Sequence, residues 1–531
     1  MNTLKFIYFP LMVFLVVVNS ACKNFNDKET SHTTPRGDEF IYVEDQIFKY
    51  KQDTFFAMML NYVVEFRYLD GEAIISPCIQ YEDPLKYESN YPEEVYHQLA
   101  AHFHLIKEMG FNTLRICLDR LATDDKARYF YPAGDTLFSI TYDYNQIFNA
   151  LEQLVTVAKK EDLRLMILLK SPLFSKELER FTIKMLDRFR DNPVIFAYDF
   201  MNEPLYFDLE PKRKKTKAYS YVKHWKHLMK AHAPNQLFTI GFAEPIEVFE
   251  WDPSFLPVDF VQFHTYHPLR VPNEIYWYSR YVNKAWMIGE TSLSADNDSI
   301  PYEHQRQFMI AAFQYSRDCG ATGFGWWEFQ DILSNHFESQ YAGLLNHQGI
   351  TYTEDSLYCI QGSLKPAVHE IKTLLNYEPQ KPKRPINYYN MLGYNNYRIK
   401  GRILNAENKQ GIEGAVIRGW NDNWSVGMNT FSDENGYFTL YSNDENVHFE
   451  ISAPCLSKIK FNNELVYKAC TQPAWNIKEL PARELEYQNI SYQPFLNDTN
   501  SKSIYIFSFD ENLFHQTKFE ADMGNLYLRP L

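Results

Sequence analysis

Between Glu39 and about Tyr377, short apolar runs alternate with longer amphipathic stretches, and this pattern restricts the fold more than any other feature of the chain. Such alternation indicates βα units that build a parallel sheet. Several runs are continuously apolar, as expected for strands that are buried on both faces. The candidate strands are 55–62, 112–118, 163–170, 195–204, 236–242, 259–267, 285–292 and 323–329. Eight such units predict an α/β fold, the (β/α)₈ or TIM barrel, which we place at residues 38–378.

The segments that flank this region predict a second domain. Residues 41–53 precede the first strand and predict a small β-hairpin that closes the barrel floor. Residues 379–395 are rich in Pro and Lys, which is typical of a linker. Residues 396–531 alternate β-branched and aromatic residues with turn residues, which predicts an all-β sandwich. A chain of 531 residues is long enough for both domains.

The N-terminus has the pattern of an export signal. A short basic start precedes the apolar run 6–18, and small residues follow it, so residues 1–21 are predicted to be a signal peptide. The run is too short for a confident membrane span. Cys22 directly after small residues resembles a bacterial lipobox, in which this Cys is lipidated. Asn19 stands where Leu is usual, and a plain secretory signal is the alternative.

Residues 22–37 are polar and without periodicity, which is typical of a flexible tether behind an anchor. Together these features predict a protein of the bacterial cell envelope, attached by lipid to the outer membrane or cell surface. A periplasmic or secreted protein is the alternative. The only membrane contact that we expect is through the N-terminal lipid.

Charge and cysteine content narrow the possible partners. The net charge of −14 argues against nucleic acid, because nucleic-acid binding needs basic surface. Seven cysteines are present, without CxxC or Cys/His metal spacing. We expect neither a metal nor an organic cofactor, because the carboxylate chemistry described below needs none. Cys455 and Cys470 are close enough in sequence to pair in an oxidising compartment.

Polar residues end several predicted strands, where the active site of a TIM barrel gathers. Glycoside hydrolysis needs two carboxyl groups beside the glycosidic bond. Strands four and seven lie on opposite sides of a barrel, so their terminal carboxylates can face each other; a gap of about 5–5.5 Å would indicate a retaining mechanism. The candidate residues are Arg115 on strand two, Asn202 and Glu203 on strand four, His264 and Tyr266 on strand six, Glu290 on strand seven and Trp327 on strand eight.

Residues 39–377 resemble glycoside hydrolase family 5 of clan A. The matching segments are Asn202-Glu203-Pro204, WMIGE ending at Glu290, GFNTLRI around Arg115, His264-Thr265-Tyr266, WWEF around Trp327, and the closing GLL…KPA. The resemblance implies that Glu203 is the acid/base, protonated at rest, and that Glu290 is an ionised nucleophile. It further implies that Arg115 and Tyr266 stabilise the nucleophile, Asn202 contacts the sugar 2-hydroxyl, His264 bonds substrate or acid/base, and Trp327 floors the cleaved subsite. Trp326 is expected to pack outward in the core.

Some features depart from the family pattern. Strand one ends in Asn61-Tyr62 without an obvious catalytic role, Thr291-Ser292 stand where many members have Phe-Gly, and loop 68–92 is long. The resemblance still leads us to expect a retaining enzyme with a carbohydrate substrate. By analogy with the family, this enzyme is an endo-acting β-1,4-mannanase or β-glucanase. Two alternatives remain, namely a surface glycan-binding lipoprotein with a non-catalytic barrel, and a transglycosylase.

The C-terminal region resembles carboxypeptidase-regulatory-like β-sandwich domains. The matching pieces are GRIL, GIEGAVI and TFSDENGYFTL. These domains usually act as spacers or attachment modules. Trp420 and Trp424 are candidates for carbohydrate contacts, although a structural turn is the favoured interpretation.

Overall fold

The computed structural model describes most of the barrel and sandwich. The described residues are 39–69, 72–78, 92–118, 126–133, 136–169, 176–208, 210, 212–268, 270–334, 336–382, 384–385, 397–420, 427–442, 448–462, 476–479 and 519–531. Cys22, Trp424 and Cys470 lie outside them, so the lipid anchor and the Cys455–Cys470 pairing stay predictions, although Cys455 itself takes part in a disulfide. Within the described ranges, no helix combines the length and apolar character needed to cross a bilayer.

A small antiparallel sheet opens the described chain, made of β1 (Tyr42–Glu44), β2 (Ile47–Tyr50) and β3 (Asp53–Thr54). Phe48 is fully buried and meets Phe196 and Phe260 edge to face, with ring centroids 6.0 and 4.9 Å apart. Its main-chain N–H donates to Thr322 Oγ1 at 2.7 Å. All three partners lie at or just before the beginning of a barrel strand, so the sheet closes the barrel floor. The predicted hairpin is confirmed, with one strand more than expected.

Eight parallel strands form the barrel, which closes where the last strand pairs with the first. These strands are β4 (Ala57–Leu69), β6 (Thr113–Leu118), β9 (Arg164–Leu168), β10 (Ile195–Asn202), β11 (Leu237–Phe242), β12 (Val261–His264), β13 (Trp286–Glu290) and β14 (Gly323–Trp326). The antiparallel strands β5 (Glu72–Pro77), β7 (Lys126–Ala133) and β8 (Thr136–Asp143) are additional. The predicted TIM barrel is confirmed, but β5 occupies part of what the sequence predicted to be a loop.

Amphipathic helices pack around the barrel. In the helix 144–160, Ile147, Leu151, Leu154 and Ala158 are buried at a spacing of three and four, which places them on one face, while Glu152 is among the exposed residues of the other face. The described helices are α1 (Pro92–Met109), α2 (Tyr144–Lys160), α3 (Lys176–Phe189), α4 (Pro204–Phe207), α5 (Lys215–His232), α6 (Val271–Tyr281), α7 (Tyr302–Asp318), α8 (Phe337–Gln340) and α9 (Ile371–Leu374). Two 3₁₀ helices (Pro245–Phe249 and Pro366–Glu370) and a hairpin of β15 (Ile350–Tyr352) and β16 (Cys359–Gln361) complete this region. The predicted closing helix is therefore a 3₁₀ turn followed by one α-helical turn.

In the described part of the C-terminal region, two four-stranded sheets form a sandwich, as the sequence predicted. One sheet has the order β20-β17-β24-β23 and the other β19-β18-β21-β22. Their strands are β17 (Tyr397–Asn405), β18 (Val416–Trp420), β19 (Gly427–Phe431), β20 (Tyr437–Ser442), β21 (His448–Ser452), β22 (Ile459–Asn462), β23 (Asn476–Glu479) and β24 (Phe519–Leu528). Ile403, Ile417, Leu440 and Phe449 share the core between the sheets.

Buried polar contacts join the sandwich to the barrel. Lys215 Nζ donates to the carbonyl oxygens of Ala453 and Leu456 at 3.0 and 2.7 Å, and it forms an ion pair with Asp252 at 2.9 Å. Asp252 Oδ2 also accepts the main-chain N–H of Cys455 at 2.8 Å. Because a charge buried without partners is costly, this arrangement holds the two domains in one orientation.

Candidate active site

The register of the barrel strands brings the polar residues to one end. Asn202 is the last residue of β10 and lies level with Gly241 of β11, while His264 of β12 lies level with Glu290 of β13. The strands run parallel, so their carboxyl ends form one rim. The structure therefore brings the sequence-predicted residues of strands four, six and seven together.

Arg115 of β6 is fully buried and links four side chains. Its Nε and Nη2 donate to Asp199 Oδ2 at 3.0 and 2.8 Å, and Nη2 also donates to Asn202 Oδ1 at 2.7 Å. Nη1 donates to Asn61 Oδ1 at 3.0 Å and to Glu290 Oε1. A planar guanidinium held on several sides cannot rotate, so Arg115 presents a fixed positive charge to Glu290.

Glu290 ends β13 and is buried, with a donor on each carboxylate oxygen. Arg115 bonds Oε1, and the hydroxyl group of Tyr266 donates to Oε2. Burial alone would raise the pKa of Glu290, but the charges of His264 and Arg115 and the hydrogen bonds from Tyr266 and Arg115 outweigh it and lower that pKa. Burial and the neighbouring negative charge of Glu290 raise the pKa of Tyr266 well above its ordinary value. The pair is thus an ionised carboxylate with a neutral phenol as donor.

Glu203 follows β10 in a left-handed backbone conformation, with φ 41° and ψ 72°. Its N–H donates to Gly241 O at 2.7 Å, and Pro204 then begins the short helix α4. The side chain is 16% exposed, and its Oε1 lies 2.8 Å from His264 Nδ1. Left-handed backbone is unfavourable for residues with a Cβ and is often found at functional sites. Here the turn ends the strand and leaves the carboxyl group in contact with both His264 and solvent.

His264 lies between the two carboxylates, because two glycines leave room for its ring. A Cβ at Gly241 would lie 2.9 Å from His264 Nε2, and a Cβ at Gly289 would lie 3.0 Å from the same atom. His264 Nδ1 is 3.5 Å from Glu290 Oε1, farther than from Glu203. The Gly in the segment Ile-Gly-Glu therefore has a steric cause, which is the close approach of the His264 imidazole on the neighbouring strand.

The two carboxyl groups are close. One oxygen of Glu203, one oxygen of Glu290 and a ring nitrogen of His264 all lie within 4.8 Å of one another. This spacing would also suit a metal ion, but both oxygens of Glu290 already accept protein donors. A second such group joins His104 and Glu108 of α1 to Asp355, and His104 Nδ1 already bonds Glu161 at 2.9 Å.

The remaining predicted residues lie on the same rim. Asn202 is half-buried and offers its carbonyl oxygen to Arg115, an orientation that leaves its NH₂ as the end able to donate to a ligand. Trp327 follows β14, is half-buried, and donates its main-chain N–H to Thr291 O at 3.0 Å. Trp326 is fully buried, and its ring meets that of Phe308 of the outer helix α7 at 6.2 Å. The expectation that Trp326 packs outward in the core is confirmed.

Three buried residues of the site, Asp199, Asn61 and Gln262, were given no role by the sequence prediction. Asp199 accepts from Arg115, from Gln262 Nε2 at 2.6 Å and from the main-chain N–H of Gly241 at 3.0 Å. Asn61 donates to Gly289 O at 2.9 Å and to Trp326 O at 3.0 Å, so it joins three strands beneath the site. One signal was available, because a carboxylate inside the apolar run IFAYDFM requires a buried partner.

Of the comparisons with known proteins, only the one with solved structures found proteins that are similar to this chain. No protein-family model and no curated protein matches the chain. The chain is similar to an endo-1,4-β-mannanase from Rhizomucor miehei, at 14% identity and a TM-score of 0.40, covering 55% of this chain and 90% of that one. It is similar to a glycoside hydrolase family 5 mannosidase from Rhizomucor miehei, at 12% identity and a TM-score of 0.41, over 64% and 97%.

A third similar structure covers a larger share of the chain. It is an exo-β-1,4-mannosidase from Opitutaceae bacterium strain TAV5, at 12% identity and a TM-score of 0.43, covering 80% of this chain and 91% of that one. Similarity at this level carries no argument about activity.

Proposed function

We propose that this protein is a retaining glycoside hydrolase that cleaves β-glycosidic bonds through a covalent glycosyl-enzyme. One observation carries the proposal, which is that carboxylate oxygens of Glu203 and Glu290 lie within 4.8 Å of each other. Retaining pairs are about 5–5.5 Å apart, whereas inverting pairs stand about 6.5–9.5 Å apart to admit a water molecule. The surroundings also divide the two roles, because Glu290 is buried under two donors and Glu203 is partly open to solvent.

The reaction proceeds in two steps. A carboxylate oxygen of Glu290 attacks the anomeric carbon while the bond to the leaving sugar breaks, and the departing oxygen takes a proton from Glu203. In the second step, a water molecule gives a proton to the Glu203 carboxylate. The oxygen of this water attacks the anomeric carbon, and the bond from that carbon to Glu290 breaks. Arg115 and Tyr266 hold Glu290 ionised and aimed, and His264 orients Glu203.

Two residues of the rim are assigned to the sugar. The NH₂ of Asn202, left available by the Arg115 bond, donates to the 2-hydroxyl, a contact that strengthens in the transition state. The indole ring of Trp327 lies beneath the sugar ring in the subsite where the bond is cleaved. We propose a β-1,4-linked mannan or glucan as the substrate, because the motifs resemble family 5.

Azide rescue of two alanine variants tests both roles at once. With an activated aryl β-glycoside, Glu203→Ala still forms the glycosyl-enzyme, and azide in the vacated space then attacks from the original face to give a β-glycosyl azide. In Glu290→Ala, azide replaces the nucleophile on the opposite face and gives an α-glycosyl azide. Proton NMR of the products distinguishes the two.

The wild-type enzyme on a panel of mannans, glucans and aryl β-glycosides separates the competing functions. Sugar release with retained configuration supports the hydrolase. Glycan binding without turnover of any substrate would mean a non-catalytic surface protein, and longer products at high acceptor concentration would mean a transglycosylase. If Glu203→Ala gave the α-glycosyl azide and Glu290→Ala the β-glycosyl azide, the roles of Glu203 and Glu290 would be reversed.

A further inference from the structure

Two adjoining cavities lie between the barrel and the sandwich. The first has a volume of about 530 Å³ and the second about 470 Å³. Arg270 of the barrel and Asn429 of β19 line both, so the cavities meet at these two residues. Each volume is within the range of about 300–1,000 Å³ that ligand sites occupy, and such sites favour domain interfaces.

The first cavity begins beside the acid/base. Pro204, the residue after Glu203, lines it together with Tyr206. Tyr206 is 58% exposed and donates its hydroxyl to Glu244 Oε1 at 2.9 Å, which leaves a fixed aromatic face at the surface. Since Glu203 protonates the departing oxygen, the sugar that leaves lies on this side of the reacting bond. The cavity therefore begins one residue from Glu203, and we place it on the side of the departing sugar.

Two of the cations that line the cavities, Arg270 and Lys460, are paired with carboxylates of the same lining. Arg270 bonds Glu244 and also donates to Glu274 at 3.0 Å, and Lys460 pairs with Glu450 at 2.6 Å. Paired guanidinium, ammonium and carboxylate groups offer donors and acceptors to hydroxyl groups without a strong field of one sign. This lining suits a neutral, hydroxyl-rich ligand rather than an ionic one.

The sandwich contributes a rigid wall. Trp420 ends β18 with only 4% of its surface exposed, and Arg418 and Lys460 lie 5.6 and 5.5 Å from its ring. It is part of a buried strand, not the turn that the sequence favoured. At the junction of the cavities, Asn429 is half-buried, and within the described residues its side-chain amide makes no hydrogen bond.

We propose that the two cavities form one cleft that binds the leaving-group side of a neutral β-linked oligosaccharide, with the sandwich as one wall. The inference rests on the proposed function, since the direction of the cleft follows from the role of Glu203. The sandwich then takes part in substrate binding, and Asn429 hydrogen-bonds a sugar hydroxyl deep in the cleft. Because the interface with Lys215 is buried, the cleft exists before substrate arrives.

Chain-length dependence of kcat/KM tests the cleft. The measured quantity is kcat/KM for manno- or cello-hexaose divided by kcat/KM for an aryl β-glycoside. Asn429→Ala should lower this ratio about three- to tenfold, as expected for the loss of one hydrogen bond. Asn429→Trp, which fills the junction, should lower it tenfold or more. Asn525→Ala is the matched control, because Asn525 is exposed on the same sandwich and lines neither cavity. An unchanged ratio in Asn429→Trp overturns the cleft while leaving the hydrolase intact.

Calorimetric titration with the same hexasaccharides separates the two claims. If the wild type hydrolyses nothing, the proposed function fails, and binding still decides the cleft. Weaker binding by Asn429→Trp than by wild type and Asn525→Ala supports the cleft. Equal binding by all three proteins, or no binding by the wild type, overturns it.

Discussion

Asp199 accepts two hydrogen bonds from the Arg115 guanidinium, at 3.0 Å from Nε and 2.8 Å from Nη2. Both residues are fully buried, and these bonds fix the edge of the guanidinium that faces away from Glu290. The remaining nitrogen, Nη1, is thereby directed at the proposed nucleophile. Asp199 thus determines where the positive charge of the site lies without itself approaching a substrate.

Asp199→Ala should lower the unfolding free energy by about 3–5 kcal/mol, because it leaves Arg115 with one buried counter-charge fewer. Denaturant unfolding followed by circular dichroism measures the change. Asp187→Ala is the matched control, since Asp187 pairs with His232 in an exposed position and should cost about 1 kcal/mol or less. Equal losses in the two variants would contradict the role of the buried pair.

Tyr266→Phe should move the acidic limb of the kcat/KM profile to higher pH. The pKa of Glu290 is lowered in the folded protein, in part by the Tyr266 hydrogen bond, so removing that bond raises it. The nucleophile must be ionised, hence activity is lost as pH falls through a pKa that now lies higher. We also expect kcat/KM at the optimum to fall about 10- to 100-fold, as for one charge-assisted hydrogen bond.

Initial rates with an aryl β-glycoside across pH measure the Tyr266→Phe effect. Tyr437→Phe is the control, because Tyr437 is exposed on the sandwich. An acidic limb that stays in place, or moves to lower pH, would show that Tyr266 does not stabilise the ionised form of Glu290.

Gly289→Ala should lower kcat with only a modest loss of stability. The added Cβ would stand 2.4 Å from Gln262 Oε1 and 3.0 Å from His264 Nε2, so both side chains must shift and the His264 contact with Glu203 is disturbed. Gly320→Ala is the comparison, since its Cβ meets nothing within 4 Å and only its positive φ of 87° costs about 1 kcal/mol. Steady-state kinetics and thermal melts of both variants distinguish a site effect from a stability effect.

Lys215→Met should lower the unfolding free energy by about 3–5 kcal/mol, because it leaves Asp252 buried without its cation. Lys217→Met, two residues away, removes a surface pair with Glu210 and should cost about 1 kcal/mol or less. Scanning calorimetry also reports whether barrel and sandwich still unfold together. A Lys215→Met protein as stable as Lys217→Met would mean that the buried contact does not fix the domains.

The sequence was informative where a local pattern has one structural meaning. Eight apolar runs with amphipathic stretches between them predict the barrel, and Glu203 and Glu290 follow from the ends of two of those runs. Asp199 and Asn61 were missed because their partners lie on other strands, and the barrel register that joins them is not visible in a linear pattern. The docking of the sandwich escaped prediction for the same reason, since Lys215 resembles any helical surface lysine until its partners are known.

The position of Phe48 also determines at which end of the barrel the N-terminal connection lies. The sheet that carries it seals the pole of the barrel opposite the rim with Glu203 and Glu290, and the described chain enters at that sealed pole. A segment that precedes Glu39 is therefore connected to the closed end of the barrel. The lipid anchor that the sequence predicts would then attach at the end of the barrel opposite Glu203 and Glu290.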